Sequence, residues 1–438
     1  MDQGNRRRVA WTLYEWAQQP YWALIATFIF TPYFASGFVG DAVRGQSLLG
    51  YAGVVSGLAI AVLSPLLGAT LDARRNPRTW LVGLAFPFVL ASLGLWLALP
   101  GETSRIPLIL ACLVMGSVAA ELGVTVMNAL LPVVAKPGQV GRLSGTAWAL
   151  AYVGALVTLF IVLLCFSLPE VPMLGLSKAL HEPDRIVGPL VAVWFLAFAW
   201  PLMLIAPKPS GGAGDKPLAE LWATIRSLPS RPHMLKFLIG RMLLGDGISS
   251  FIAFGGVLAA GLFGWTTTQL GVYAIMLSVA AGIGTFIGGR VDQKIGSKAT
   301  VLIATGVILF GATGVGMVGK ETLFFFISVA PAKAGALFAS LPERMFLFFS
   351  LFVGLTFGPA QSSLRAWMAE LAPAGESGRW FGLYALSGKA TAFLAPLVIA
   401  VGTRLAGDQR IAVVVSASFM ALGALVLASA PRRAPVAD

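Results

Sequence analysis

The chain has 438 residues, of which 57% are hydrophobic and only 11% charged. Soluble domains are about half apolar and about a quarter charged, so this composition excludes a soluble globule, and disorder, collagen and coiled coil fall with it. A net charge of +12 would point to nucleic acid in a soluble protein, but in a chain this apolar the cations must first be placed relative to a membrane.

A membrane-spanning helix needs about 20 apolar residues. Apolar runs broken by charges or Pro/Gly clusters predict spans at about 11–37, 46–71, 79–99, 107–133, 143–167, 187–206, 236–263, 268–289, 299–319, 343–369, 379–401 and 410–430. Arg6-Arg7-Arg8 ahead of the first run mimics a signal peptide. That run is too long for one and lacks a small-x-small cleavage pattern, so it is expected to stay as the first span. Cys112 and Cys165 both fall inside apolar runs, leaving neither a disulfide framework nor a C-x-x-C metal pair.

The longest polar connection, 207–235, carries Pro207, Pro209 and Gly211-Gly212 and divides six spans from six. Within it Leu218, Leu221, Trp222, Ile225 and Leu228 recur at helical spacing, which predicts a helix lying on the membrane surface. The expected organisation is a bundle over 1–206, a linker over 207–235 and a second bundle over 236–438. With the amino terminus inside, cations on that side's connections outnumber those opposite, Lys320 and Lys333 among them, by about two to one. Both termini, Arg432-Arg433 included, are therefore expected in the cytoplasm, with the chain in a cell (inner) membrane. The basic excess is a topology signal, and no nucleic-acid partner is expected.

Two connections repeat. Gly68-Ala-Thr-Leu-Asp72, followed by Arg74, Arg75 and Arg78, has a counterpart almost half the chain away in Gly288-Gly-Arg-Val-Asp292, followed by Lys294 and Lys298. Gly141-Arg142-Leu-Ser-Gly145 is matched by Gly378-Arg379-Trp-Phe-Gly382. Glycine lets helices approach closely, a carboxylate can accept hydrogen bonds at a helix amino terminus, and the cations suit anionic headgroups. Parallel six-span repeats of this kind rock around a site at mid-membrane.

This pattern resembles the major facilitator superfamily, whose signature loop runs Gly-x-x-x-Asp followed by basic residues. Here Arg75-Asn76-Pro77 in the first copy and the position of Gly296 in the second depart from it. In that superfamily the Asp latches the cytoplasmic side shut. The resemblance carries this role to Asp72 and, less directly, to Asp292, with Arg78, Arg142 and Arg379 as partners, while topogenic charge competes as an explanation at Asp292. A closer resemblance, to the vacuole-effluxer family, rests on Tyr14-Glu15-Trp16-Ala17 with Tyr21 and Pro32-Tyr33-Phe34, and on Arg142-Leu143-Ser144-Gly145 with Trp148, Tyr152 and Gly154. It continues in Gly358-Pro359-Ala360-Gln361-Ser362-Ser363 with Arg365 and in Gly378-Arg379-Trp380-Phe381-Gly382-Leu383-Tyr384 with Gly388-Lys389. Glu15 stands where Asp is usual, Gln18-Gln19-Pro20 where Asn-Ser is usual, and the loop around Phe324-Phe325-Phe326 is unusually apolar.

Charged groups within spans cost at least about 2.5–3.5 kcal/mol each on insertion, so each needs a partner or water. Glu15, Glu121, Asp246, Arg241, Arg365 and Lys389 lie in this position, and three acids with three bases allow complete mutual pairing. Glu121 is mid-span in the fourth helix, at the depth where alternating-access carriers hold substrate or protons. Lys389 in the eleventh span and Arg365 in the tenth suit a substrate carboxylate or phosphate, and the resemblance makes Lys389 a candidate anchor. A Lys389–Glu121 ion pair is the equally open alternative, and it could itself be the switch that substrate breaks. Glu15, Gln18, Gln19 and Trp22 share one helical face that is expected to line a cavity. Asn128, Gln361 and Tyr384 complete the candidate set, although an interhelical hydrogen bond explains each. Asp246 and Arg241, five residues apart, do not face each other.

His181 and His233 lie in or beside loops, so proton coupling would rest on carboxylates. Without a nucleophile triad, metal-ligand cluster or phosphate loop, the sequence predicts no enzyme, no cofactor and no metal. The expected fold is all-α and integral to the membrane, twelve transmembrane helices in two pseudo-symmetric six-helix bundles. The resemblance implies a monomeric secondary active transporter that exports an amino acid or related amphipathic metabolite by alternating access, with protons coupled through Glu121. A carrier of a larger amphiphile (lipid, siderophore or drug) and a non-transporting assembly or sensor protein on the same fold remain open.

Overall fold

The computed structural model describes residues 2–207, 216–265, 267–329, 337–392 and 394–432. Lys208, Pro209, Gly211-Gly212, Lys333 and Arg433 lie outside them. The described chain is almost wholly helical. The first six spans are α1 (Gln3–Phe38), α2 (Ala42–Arg74), α3 (Pro77–Leu97), α4 (Thr103–Val134), α5 (Val140–Ser167) and α6 (Glu182–Ile205). A short helix α7 (Pro217–Ser227) follows, then α8 (Pro232–Phe263), α9 (Thr267–Ile295), α10 (Ser297–Gly316), α11 (Leu341–Leu371), α12 (Ser377–Ser387), α13 (Leu394–Ala406) and α14 (Ile411–Ala428). Among the described residues eleven of these helices are long and apolar enough to cross a membrane.

The expected spans are thus present with one departure. The run read as a continuous span over 379–401 is broken into α12 and α13 by turns that begin at Gly388. Helix α12 ends at its cap residue, Gly388, and the next proline, Pro396, lies too far on to have announced the break. A two-stranded hairpin, β1 (Thr322–Leu323) with β2 (Ile327–Ser328), forms from the Phe-rich loop.

Local chemistry sets the helix ends. The Asp2 carboxylate accepts from Asn5 N at 2.6 Å, Asp41 accepts from Val43 N and Arg44 N at 3.0 Å, and Asn76 precedes Pro77 at the start of α3. Ser340 and Glu343 form a reciprocal capping box on α11: Glu343 N donates to Ser340 Oγ at 3.1 Å and Ser340 N donates to Glu343 Oε2 at 2.9 Å. Helix α1 is not uniformly α-helical: Tyr21–Phe28 and Phe34–Phe38 run as wide π turns, the first directly after Pro20.

The helices gather into two compact units. The first holds residues 1–136, 150–224 and 372–389, and the second 137–149, 225–371 and 390–438. The first unit therefore keeps all of α12 from the second sequence half, and the second unit keeps the opening turns of α5 from the first. In the first, α12 packs along α2 and α4, while α1 packs on α6 and α4. In the second, α8 packs on α14, and α11 on α9 and α10. Helix α7 forms over the stretch where a helix was expected, with Leu221 and Thr224 buried and Leu218 and Trp222 exposed.

Candidate functional site

In the first unit, Glu121 projects from the middle of α4, and Lys389 stands in the break directly after α12. Their charged groups meet at 4.0 Å, with 23% and 31% of the side chains still exposed. Two features keep the contact loose: the distance is at the limit of an ion pair, and the turns after Ser387 hold Lys389 outside a regular helix. A pair this open contributes about 1 kcal/mol or less. Asn128 is buried two turns along α4 on the same face as Glu121, and Tyr384 is buried in α12, edge-on to Phe381 at 5.8 Å.

The floor of this region is a polar zipper between α1 and α4. Trp11 Nε1 donates to the Met127 carbonyl at 2.7 Å, Gln18 Nε2 to the Ala120 carbonyl, and the Tyr21 hydroxyl to the Leu113 carbonyl at 3.2 Å. The three acceptors lie seven residues apart, so they line one face of α4. Gly116 and Gly123 lie on the same helix, where a Cβ would collide with the Tyr21 and Tyr14 side chains. Gln18, expected with Glu15 and Gln19 to line a cavity, is instead buried against α4, whereas Glu15 and Gln19 are half-buried. Trp11 and the three carbonyls were absent from the sequence-based set. Backbone acceptors leave no mark in residue identity.

In the second unit, buried Asp246 of α8 accepts a 2.6 Å hydrogen bond from Thr391 Oγ1. Thr391 was not a sequence-based candidate. Its signal was a hydroxyl two residues beyond Lys389, so that the break supplies Lys389 to one unit and Thr391 to the other. Gln361 is half-buried. Arg365 is buried, its Nε donating to Ser144 Oγ at 2.9 Å and its Nη2 to the Ser144 carbonyl at 3.1 Å, with the Trp148 ring 5.8 Å away. The guanidinium expected to meet a substrate anion is thus engaged in holding the start of α5 against α11.

The repeated loops come together within each unit. Asp72, buried at the end of α2, accepts from Gly378 N at 2.7 Å and Arg379 N at 2.8 Å, the first free donors of α12. The Arg379 guanidinium lies 3.5 Å from Asp72, 3.2 Å from Glu220 of α7 and 3.4 Å from Glu376. Gly68 has no room for a side chain against the Gly378 backbone. In the second unit the buried Asp292 carboxylate occupies the space a Gly141 side chain would need, and Ser297 Oγ donates to it at 3.0 Å. Arg78 and Arg142 are exposed.

The family profile described as vacuole effluxer Atg22-like matches residues 138–434, two thirds of the chain. The chain belongs to this family. It is similar to an MFS-type transporter, YxiO, from Bacillus subtilis, at 20% identity across 98% of this chain and 96% of that protein. Autophagy-related protein 22 of Cryptococcus neoformans is 23% identical over 63% of this chain, which spans about half (49%) of that protein's length. Among solved structures, the major facilitator transporter FucP in its outward conformation aligns with a TM-score of 0.74 over 98% of this chain and 99% of that one, at 11% identity. At that identity the likeness establishes the fold alone, a multi-pass membrane protein with the major facilitator architecture; that the chain is a transporter rests on its membership of the effluxer family.

Proposed function

We propose that this Atg22-like transporter moves a small zwitterionic metabolite, an amino acid or close relative, by alternating access, and that Glu121 and Lys389 are the groups that hold it. One observation carries the reading: an acid and a base meet loosely at 4.0 Å beside a broken helix. A zwitterion offers a carboxylate to Lys389 and an ammonium to Glu121. It thereby replaces one weak ion pair with two charge-assisted ones, an exchange that favours binding without leaving a charge unpaired. Interrupted helices also mark the binding sites of other secondary carriers, because the freed backbone groups add to the site.

In this proposal a proton on Glu121 releases Lys389 in the same way, which couples transport to protons. Export is supported by the effluxer description of the family. The two sequence halves, 1–206 and 236–438 joined by the linker, are the moving parts, and Asp72 and Asp292 latch one side when that side is closed. The excess of cations on even-numbered connections supports cytoplasmic termini in a cell membrane, and the monomer is the working unit.

Counterflow of radiolabelled amino acids in vesicles reconstituted with the wild type, Glu121→Gln and Lys389→Ala tests the reading. Uptake is expected for at least one amino acid in the wild type and loss of at least about tenfold in either variant, with thermal stability lowered by no more than about 1 kcal/mol. Failure of every amino acid and short peptide in the wild type would sink the substrate class. Equal transport in the variants would remove the pair from the site.

A further inference from the structure

A cavity of about 710 Å³ runs between α10 and α14 in the second unit, and nothing in the transport reading uses it. Gly316 on α10 stands beside Val413 on α14, and Leu309 and Thr313 with Ala417, Ser418 and Ala421 line the rest of a mostly apolar wall. Exposed Phe310, Val414, Leu422 and Leu425 on the same two helices keep this stretch of the unit open to its surroundings. At one end the chemistry changes. Asp408 and Arg410 stand at the mouth, and Arg410 lies 5.5 Å over the Phe325 ring of the hairpin turn. Asp408 Oδ1 accepts the Arg410 backbone N–H at 2.8 Å, which leaves its second oxygen for another donor, while the guanidinium donates to the Val318 carbonyl at the long distance of 3.5 Å.

We propose that this groove binds a membrane phospholipid, with an acyl chain lying between α10 and α14 and the phosphate on Arg410. The volume is that of a ligand site, the wall matches a hydrocarbon chain, and a guanidinium is the side chain best shaped for a phosphate. A neighbouring carboxylate complements an ammonium, so an ethanolamine headgroup satisfies both charges, whereas a glycerol headgroup meets only one. A bilayer also holds this ligand in excess beside every exposed apolar helix face.

The test uses full-length protein in vesicles of phosphatidylethanolamine and phosphatidylglycerol, doped with a phosphatidylethanolamine bearing a diazirine on its acyl chain. Labelled peptides are mapped after irradiation, and exposed Val54 and Leu58 of α2 serve as the reference for ordinary bilayer contact. Peptides spanning 309–317 and 411–421 are expected to label at least about fivefold above that reference, and Arg410→Gln, at the half-exposed mouth, to lose most of the excess. Ala417→Phe with Ala421→Phe fills the groove and should bring its labelling down to the reference. Labelling of the wild-type groove at the reference level, or labelling that survives both variants, overturns the proposal. A glycerol-headed probe that labels as strongly as the ethanolamine one overturns the role of Asp408.

Discussion

The two copies of the Gly-x-x-x-Asp loop solve the same problem with different chemistry. Asp72 caps a helix: its oxygens take two backbone N–H groups at the start of α12, and a guanidinium shared with Glu220 and Glu376 stands behind them. Asp292 is seated against the Cα of Gly141 and receives the Ser297 hydroxyl, with Ser363 and Arg432 as further stabilising neighbours. The work of holding the start of α5 has passed to Arg365, which grips Ser144, while Ser144 Oγ donates to the Ser362 carbonyl at 2.7 Å. A sequence repeat therefore preserves the place of contact and leaves its energetics free to diverge.

This contrast ranks the consequences of substitution. Asp72→Ala removes the acceptor of two backbone donors at a helix amino terminus and is expected to cost about 3–5 kcal/mol in unfolding of the purified protein. Arg365→Ala should follow at about 2–3 kcal/mol, since it leaves Ser144 without its donors, and Arg365→Lys should recover little because an ammonium cannot span both Ser144 oxygens. Gly141→Ala drives a methyl into the Asp292 carboxylate and should cost about 1–3 kcal/mol, and combining it with Asp292→Ala should restore part of the loss. A double-mutant cycle on these two positions reads that coupling, and strict additivity would mean that Asp292 is not the seat. Arg379→Gln sits at the small end, about 1 kcal/mol or less, because two of its partners, Glu220 and Glu376, are partly exposed and its backbone N–H still binds the buried Asp72. Should Asp292→Ala alone prove as damaging as Asp72→Ala, the two copies would be energetically equivalent after all.

Much of this was legible in the residues. Hydropathy alone gave every span except the break in the eleventh, and Gly and Asp at matched places pointed to the loops that meet. The break was hidden because Gly388-Lys389-Ala390-Thr391-Ala392 is short and mostly small, and hydropathy averages over it. Arg365 read as suited to a substrate anion because a guanidinium inside a span needs a partner, and sequence cannot say whether that partner is a ligand or a serine two hundred residues earlier. Gln18 was assigned to a cavity by spacing, yet the carbonyl it binds belongs to a backbone, a partner that no side-chain pattern encodes. The Glu121–Lys389 pair was readable because two opposite charges in apolar surroundings have few other places to go.

The wide turns of α1 carry a consequence for how this helix tolerates changes of length. An ordinary spanning helix such as α2 cannot lose a residue without rotating everything beyond the deletion by about 100°, which would swing its buried face away from its neighbours. A π turn is an α-helix holding one surplus residue, so Tyr21–Phe28 has slack to give. Removing a single residue there lets the turn relax to α geometry while Trp11 and Gln18 on one side, and Phe30 and Tyr33 on the other, keep their bearings. A scan of one-residue deletions along the first two spans should therefore find survivors grouped at Tyr21–Phe28 and Phe34–Phe38 of α1, and none in the buried stretch Leu67–Ala73 of α2.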